Sequence, residues 1–288
     1  MTLLALLSYA CPLILCSLGA LFSEFAGCLA LFLDGLVSFS AFLFYTFTVT
    51  TGSAVLGAVL ACLSAVLITL GFSAVVERGG ANRFIAAIAM NLLFGALTSC
   101  LSSIIFGTRG VLAATAGAAN AAASTASASS ANTTALFKFS ATTARATAVA
   151  ITAVLVAISV LFLKYSRHGL YIRIAGSDAD VLKAKGVNPG HIRTLSWSLA
   201  SLYGSTAGIL LAMRLSSFVP NISSGRGWMA LAAVFLGKKK PLRIVAAVLI
   251  FCLADIFSAN IQNYFAGIPS SFLISLPYLV SLLLILIK

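Results

Sequence analysis

Of 288 residues, 61% are hydrophobic and only 8% are charged, whereas an ordinary soluble domain carries roughly a quarter charged residues. The 18 Lys and Arg and 6 Asp and Glu cannot clothe a water-soluble surface of this size, so a soluble globular fold is excluded and the apolar exterior must face lipid. The formal charge of +12 does not indicate a nucleic-acid partner, because the basic residues form short clusters between apolar runs, as in the cytoplasmic loops of membrane proteins.

Crossing about 30 Å of hydrocarbon as a helix takes roughly 20 mostly apolar residues. The first such run, 3–22, begins MTLLALLSYACPLILC. No Lys or Arg precedes its apolar stretch and Tyr9 spoils a small-residue cleavage site, so it is expected to be a retained helix rather than a leader. Runs follow at 28–50 and 54–76, then the charged link ERGGANR (77–83), then 84–106. Residues 107–147 read as a flexible external loop whose centre, 113–135, holds only Ala, Ser, Thr, Gly and Asn and so offers little to bury. Shortening that centre is expected to leave membrane insertion intact.

A run at 148–164 leads into the polar stretch 164–193, in which a short helix is expected over Asp178 to Lys185. A run at 194–213 is followed by the piece Trp228 to Leu236, too short to span unless its approach from Leu215 also enters the membrane, as a re-entrant or broken helix. GKKKPLR (237–243) separates it from the runs 241–260 and 271–287. The expectation is an all-α polytopic bundle, 1–288 as one transmembrane domain, with about 8 spans plus this short broken one.

Lys and Arg set the orientation. Two lie in 77–83, six in 164–193, four in 237–243 and one at Lys288, which places these segments in the cytoplasm; Arg109, Lys138, Arg145, Arg214 and Arg226 then fall outside, along with the N-terminus.

Little here supports catalysis. No GxxxxGK[ST] occurs, and GKKKP at Gly237 lacks the upstream glycine and the hydroxyl that cradle phosphate and magnesium, so the chain is expected to bind neither nucleotide nor metal. Two His and six unpaired-looking Cys show no ligand spacing. Charges in apolar runs face a protein interior or a watery path when unpaired. Glu24 and Asp34 fit either such a path or interfacial water, Asp255 lies deeper beside Asn260, and Asn91 could touch a solute or bond a neighbouring helix. An ion-coupled transporter using Asp34 and Asp255 as a proton relay is an alternative reading, although no repeated halves are evident.

Three segments resemble the permease subunits of ATP-binding-cassette importers for nucleosides, simple sugars and related compounds, in the branched-chain amino acid and ribose permease group. GALFSEFAGCLALFLDG (19–35) is similar to the family's entry motif through Ser23, Glu24, Ala26, Gly27 and Gly35, with Asp34 where Glu is usual. NRFIAAIAMNLLFGALTS (82–99) resembles the stretch that carries an Asn, here Asn91. HGLYIRIAGSDADVLKAKGV (168–187) resembles the loop that docks on the ATPase; Gly169, Leu170, Arg173, Gly176, Gly186 and Val187 fit, while Ser177, Asp178 and Ala179 depart from Glu-Asn-Pro and Val181 with Leu182 from paired alanines.

The resemblance implies a multi-pass protein of the bacterial inner membrane and transport rather than enzymatic activity. Its partners would be a second homologous permease, ATP-binding subunits holding ATP and Mg, and an external substrate-binding lipoprotein. It also implies coupling through Arg173, Gly176, Ser177, Asp178, Val181, Leu182, Lys185 and Gly186, with Val181, Leu182 and Ala184 as the apolar contact face. Asp34, Asn91 and Asp255 are the candidates for the solute path. With few charges available at depth, the cargo is expected to be neutral and polar: a nucleoside first, a sugar or a riboflavin-like vitamin next.

Overall fold

The computed structural model describes residues 3–113, 141–264 and 279. In chain order the helices are α1 (Leu3–Phe25), α2 (Leu33–Thr51), α3 (Ala54–Gly79), α4 (Arg83–Phe106), α5 (Ala141–Tyr165), α6 (Arg167–Ser177), α7 (Ala179–Ala184), α8 (Pro189–Leu215), α9 (Arg226–Leu236) and α10 (Pro241–Tyr264). Two short strands, β1 (Leu112–Ala113) and β2 (Ser217–Phe218), pair antiparallel. Among the described residues, 7 helices are long and apolar enough to cross a membrane: α1 to α5, α8 and α10. The expected span at 271–287, residue 279 apart, and residues 114–140 of the expected external loop lie outside the described residues.

Burial sorts the helices into layers. The spanning windows of α1, α2 and α8 are 67%, 72% and 72% buried, while those of α3, α4 and α5 are 22%, 22% and 17% buried. The first three therefore form the interior of the bundle, and the others present apolar faces to lipid. Close backbone approach makes this interior possible. A Cβ on Gly19 would stand 2.9 Å from the Ala200 carbonyl oxygen, and Ser196 Oγ donates to the Phe22 carbonyl at 2.6 Å, tying α8 to α1. In lipid such contacts replace the hydrophobic drive between helices.

The apolar runs mark the spans but not their ends. Instead of starting near residue 28, α2 starts at Leu33, because residues 26–32 fold into a tight buried turn. Gly27 there takes φ +69°, Ser23 Oγ accepts the Ala30 N–H at 3.1 Å, and the Cys28 carbonyl accepts Trp197 Nε1–H at 2.9 Å. At the other boundary α8 begins at Pro189 rather than near residue 194, and Asn188 Oδ1 caps it by accepting the Gly190 N–H at 2.9 Å.

Contacts sort the helix ends into two groups. At the basic end Lys239 pairs with Glu24 at 2.9 Å, Arg83 pairs with Glu77, and Gly27 packs on Gly176. At the opposite end Leu112 pairs with Phe218 and Phe106 packs on Tyr45. Phe218 and Lys239 thus lie at opposite ends, so the segment between them crosses. It does so as a non-helical approach followed by the 11-residue helix α9, only about 16 Å long. This is a broken crossing rather than a re-entrant hairpin. Glu24, partnered at the cytoplasmic end, fits the interfacial reading.

Candidate solute cavity and coupling surface

The broken crossing and the late start of α2 bring two helix N-termini to the same depth inside the membrane. Unpaired N–H groups there have no water to satisfy them. Side chains do so instead: Asp34 Oδ1 accepts the Gly227 N–H at 3.1 Å, and Asn91 Oδ1 accepts the Gly35 N–H at 2.6 Å. The carboxylate also suits the positive end of the α9 dipole. Asn91 lies roughly 12 Å along α4 from Arg83, so this junction sits well between the two ends of the bundle.

Above the junction opens a cavity of about 450 Å³ whose lining includes Asp34, Ser38, Asn91, Ser99, Ser102 and Asn221. Along α4 the lining climbs from Asn91 to Ser102, roughly 16 Å towards the external side, and Arg109 and Phe218 complete it there. The cavity therefore runs from the external end down to a floor made by two capped helix starts. Its volume is within the usual range for a small-molecule site, and its walls set carboxylate, amide, hydroxyl and guanidinium groups among apolar side chains, the Phe218 ring included.

Of the three expected path residues, Asp34 and Asn91 meet at this floor, and both are engaged in capping. Asp255 does not join them. It lies on α10, where Tyr9 Oη donates to its Oδ2 at 3.5 Å, and it is absent from the cavity lining. Ser38, Ser99, Ser102, Arg109 and Asn221 were not singled out from the sequence. The spacing of Asn91, Gly95, Ser99 and Ser102 along one face of α4 was the available signal.

At the cytoplasmic end, α6 and α7 form the candidate coupling surface. The stretch 176–186 is not one helix: Gly176 and Ser177 end α6, the chain extends at Asp178, and α7 covers Ala179–Ala184. Asp178 caps α7 by accepting the Asp180 N–H at 3.0 Å, and Gly186, at φ +73°, turns the chain out of it. The Lys183 ammonium hydrogen-bonds Asp180 at 2.8 Å and holds its carboxyl below the usual range; the pair is fully exposed and adds little stability.

The expected apolar face needs correction. Leu182 is 0% exposed, turned inward within this chain, because α7 folds back against α6 and α8. Val181, 44% exposed, and Ala184 are what α7 offers a partner. Arg173 is exposed and its guanidinium lies 5.9 Å from the centre of the Phe25 ring, while Lys185 is exposed at the end of α7.

Gly176 fits against the turn after α1. A Cβ on it would collide with the Phe25 carbonyl and stand 2.8 Å from the Gly27 nitrogen. Coupling surface and cavity floor are thereby joined by a short braced path: α6 touches residues 25–27, and that turn leads directly to Leu33 and Asp34.

The described residues thus form a membrane bundle of long apolar helices with one broken crossing and a cavity that carries polar groups among apolar ones. The chain belongs to the family described as branched-chain amino acid transport system / permease component, whose model matches residues 2–287. It is 28% identical to the guanosine ABC transporter permease protein NupQ of Bacillus subtilis, over 97% of this chain and 89% of that protein. It is 26% identical to the nucleoside ABC transporter permease protein NupC of Lactococcus lactis, again over 97% and 89%. A 75-residue stretch, 26% of this chain and 23% of the relative, is 37% identical to the ribose import permease protein RbsC of Escherichia coli.

Among solved structures, PsaBC from Streptococcus pneumoniae in complex with Fab shares the fold, with a TM-score of 0.53, 14% identity and coverage of 99% of this chain and 91% of that one. The chain is therefore an ABC-type permease of the cytoplasmic membrane, a transport component rather than an enzyme, which works with ATPase and substrate-binding partners.

Proposed function

We propose that this permease carries a nucleoside from the external cavity to the cytoplasm. The observation that carries the reading is the cavity itself, about 450 Å³ with Asp34 and Asn91 at its floor and hydroxyls along α4. Such walls complement ribose hydroxyls and base N–H groups, and Phe218 supplies an aromatic surface. Two relatives that match nearly the whole chain are named for guanosine and for nucleosides, which supports the same cargo; a riboflavin-like vitamin gains no support from them.

In this reading a second homologous permease completes the path, an external lipoprotein delivers the solute, and ATP and Mg are held by the cytoplasmic subunits docked on α6 and α7. Nucleotide favours one membrane conformation only through contacts that differ between two states. The contact of α6 with residues 25–27 is where such a difference would reach the floor. Inward opening requires the Asp34–Gly227 and Asn91–Gly35 bonds to separate. The relay alternative has less to stand on, because Asp34 and Asp255 belong to different clusters.

Competition tests the cargo. Uptake of labelled guanosine by cells expressing the full importer should fall on adding excess adenosine or inosine and stay unchanged with excess ribose or leucine. Competition by ribose or leucine at equal concentration would contradict the nucleoside assignment.

The docking face has its own test. Val181→Asp should leave an inserted permease yet weaken ATPase co-purification about tenfold or more, since an unpaired charge would be buried in the contact. Full recovery of the ATPase with this variant would remove α7 from the interface. Leu182→Asp is the poorer probe, because it would put the charge inside the chain's own core.

A further inference from the structure

The head of α9 is held from two sides, and only one of them faces the cavity. On the cavity side Asp34 takes the Gly227 N–H. On the other side stands Arg226, a cation at the first position of a helix, where the dipole disfavours positive charge, and at membrane depth, where unpaired charge is costly.

The surroundings of Arg226 offset both costs. Its Nη1 donates to the carbonyls of Ile222 and Ser223, each at 3.2 Å. The Asp255 carboxylate, which accepts from Tyr9 Oη at 3.5 Å, lies within electrostatic reach of the guanidinium and attracts it, whereas Arg214, stacked over the same tyrosine ring at 4.6 Å, adds a second cation that the carboxylate must also balance.

What Arg226 grips is a turn with three residues in the left-handed region: Asn221, Ser224 and Gly225 take φ of 56°, 47° and 80°, and two of them are not glycine. Its own bonds, from the Ser224 N–H to the Asn221 carbonyl and from the Arg226 N–H to the Ser223 carbonyl, each at 3.0 Å, are supplemented by the Arg226 guanidinium. The same turn builds the cavity wall. Asn221 and Pro220 line it, and the Ser223 N–H reaches across to Ser38 Oγ, another lining residue, at 3.3 Å.

We infer that Arg226 and Asp255 are positioning residues for transport: from the side away from the solute, Arg226 braces the 221–226 turn that forms the outer wall of the cavity, and Asp255, through Tyr9, anchors the cluster in which Arg226 sits. Asp255 thus serves the path without lining it. The transport arm of the test rests on the proposed function; the labelling arm does not, and so separates the two.

In a Cys100→Ser background, Ser99→Cys places a thiol in the cavity, and its reaction rate with a membrane-impermeant maleimide added outside reads how the wall is set. Adding Arg226→Gln should raise that rate about tenfold, the loss of a charged hydrogen-bonding group. In the full importer the same change should raise the solute concentration for half-maximal uptake by a similar factor, with the maximal rate within about twofold; Asp255→Asn should shift both readouts in the same direction by less.

Arg226→Lys, which keeps the charge but grips less firmly, should recover part of each effect, as a merely structural lesion would not. Should Arg226→Gln not reach the membrane, Arg226→Lys and Asp255→Asn decide by the same two readouts. Parental labelling rate and parental half-saturation in these variants would overturn the inference. A changed labelling rate with no solute uptake in any variant would uphold the positioning role and count against the proposed function instead.

Discussion

Replacing Gly176 with valine should abolish ATP-driven uptake while the protein still inserts and still binds its ATPase partner. The expectation rests on one contact. At Gly176 the backbone of α6 meets the turn after α1 so closely that even a Cβ collides with the Phe25 carbonyl and stands 2.8 Å from the Gly27 nitrogen. Both opposing atoms are backbone, and that backbone is braced by the Ser23–Ala30 and Trp197–Cys28 hydrogen bonds, so neither can yield cheaply. Overpacking of this kind costs about 1–3 kcal/mol, which a bundle of this size can bear, and it is relieved by moving α6 off the turn.

The exposed candidate docking residues, Val181 on α7 and Lys185 just after it, lie beyond the wedge and remain available. The consequence is uncoupling: ATP hydrolysis continues at or near its basal rate while uptake falls to background. Gly176→Ala should show the same pattern more weakly. Hydrolysis and uptake measured together on the reconstituted importer check it, and full uptake by the valine variant would show that coupling does not pass through this contact.

Asp34→Leu should lower uptake at least a hundredfold. Removing the carboxylate strips the head of α9 of its acceptor, leaving the Gly227 N–H unpaired inside the membrane at a cost of about 1–3 kcal/mol, and it removes the negative charge that the helix dipole favours there. It also takes from the cavity floor the acidic group able to receive hydrogen bonds from a solute. A buried polar partner left without its match weakens binding far more than a lost methylene does.

Asp34→Asn, which keeps an acceptor oxygen for Gly227 but loses the charge, should retain more activity than Asp34→Leu. Uptake kinetics of the two variants at matched membrane expression provide the check. Equal activities for the two would indicate that the cap on α9 is of no importance to transport.

The spanning helices were legible in the sequence because lipid demands long apolar runs and positive charge collects on one side. Their ends were not. Residues 26–32, AGCLALF, are mostly apolar helix formers, yet the positive φ of Gly27, local backbone bonds and the bonds to Trp197 and Ser23 hold them as a turn. The cavity was half legible. An acidic residue and an amide in apolar runs pointed to Asp34 and Asn91, but Ser99, Arg109 and Asn221 come from separate segments that only the fold brings together.

Asp255 carries the same local signal as Asp34 and was assigned to the path with it. The difference between them lies in their neighbours, Tyr9 for one and the α9 head for the other, which no local pattern encodes. The inward turn of Leu182 was hidden for a similar reason: on a helix of 6 residues, which side faces a partner is decided by the helices it folds against, here α6 and α8.

The most direct test of the account is uptake of labelled guanosine into proteoliposomes containing this permease with its ATPase subunits and the proposed second permease, the binding protein outside and ATP with Mg trapped inside. Accumulation should require the enclosed ATP and should be lost with Asp34→Leu. Accumulation without ATP, driven by an imposed proton or sodium gradient alone, would contradict the assignment of this chain as the solute path of an ATP-driven importer.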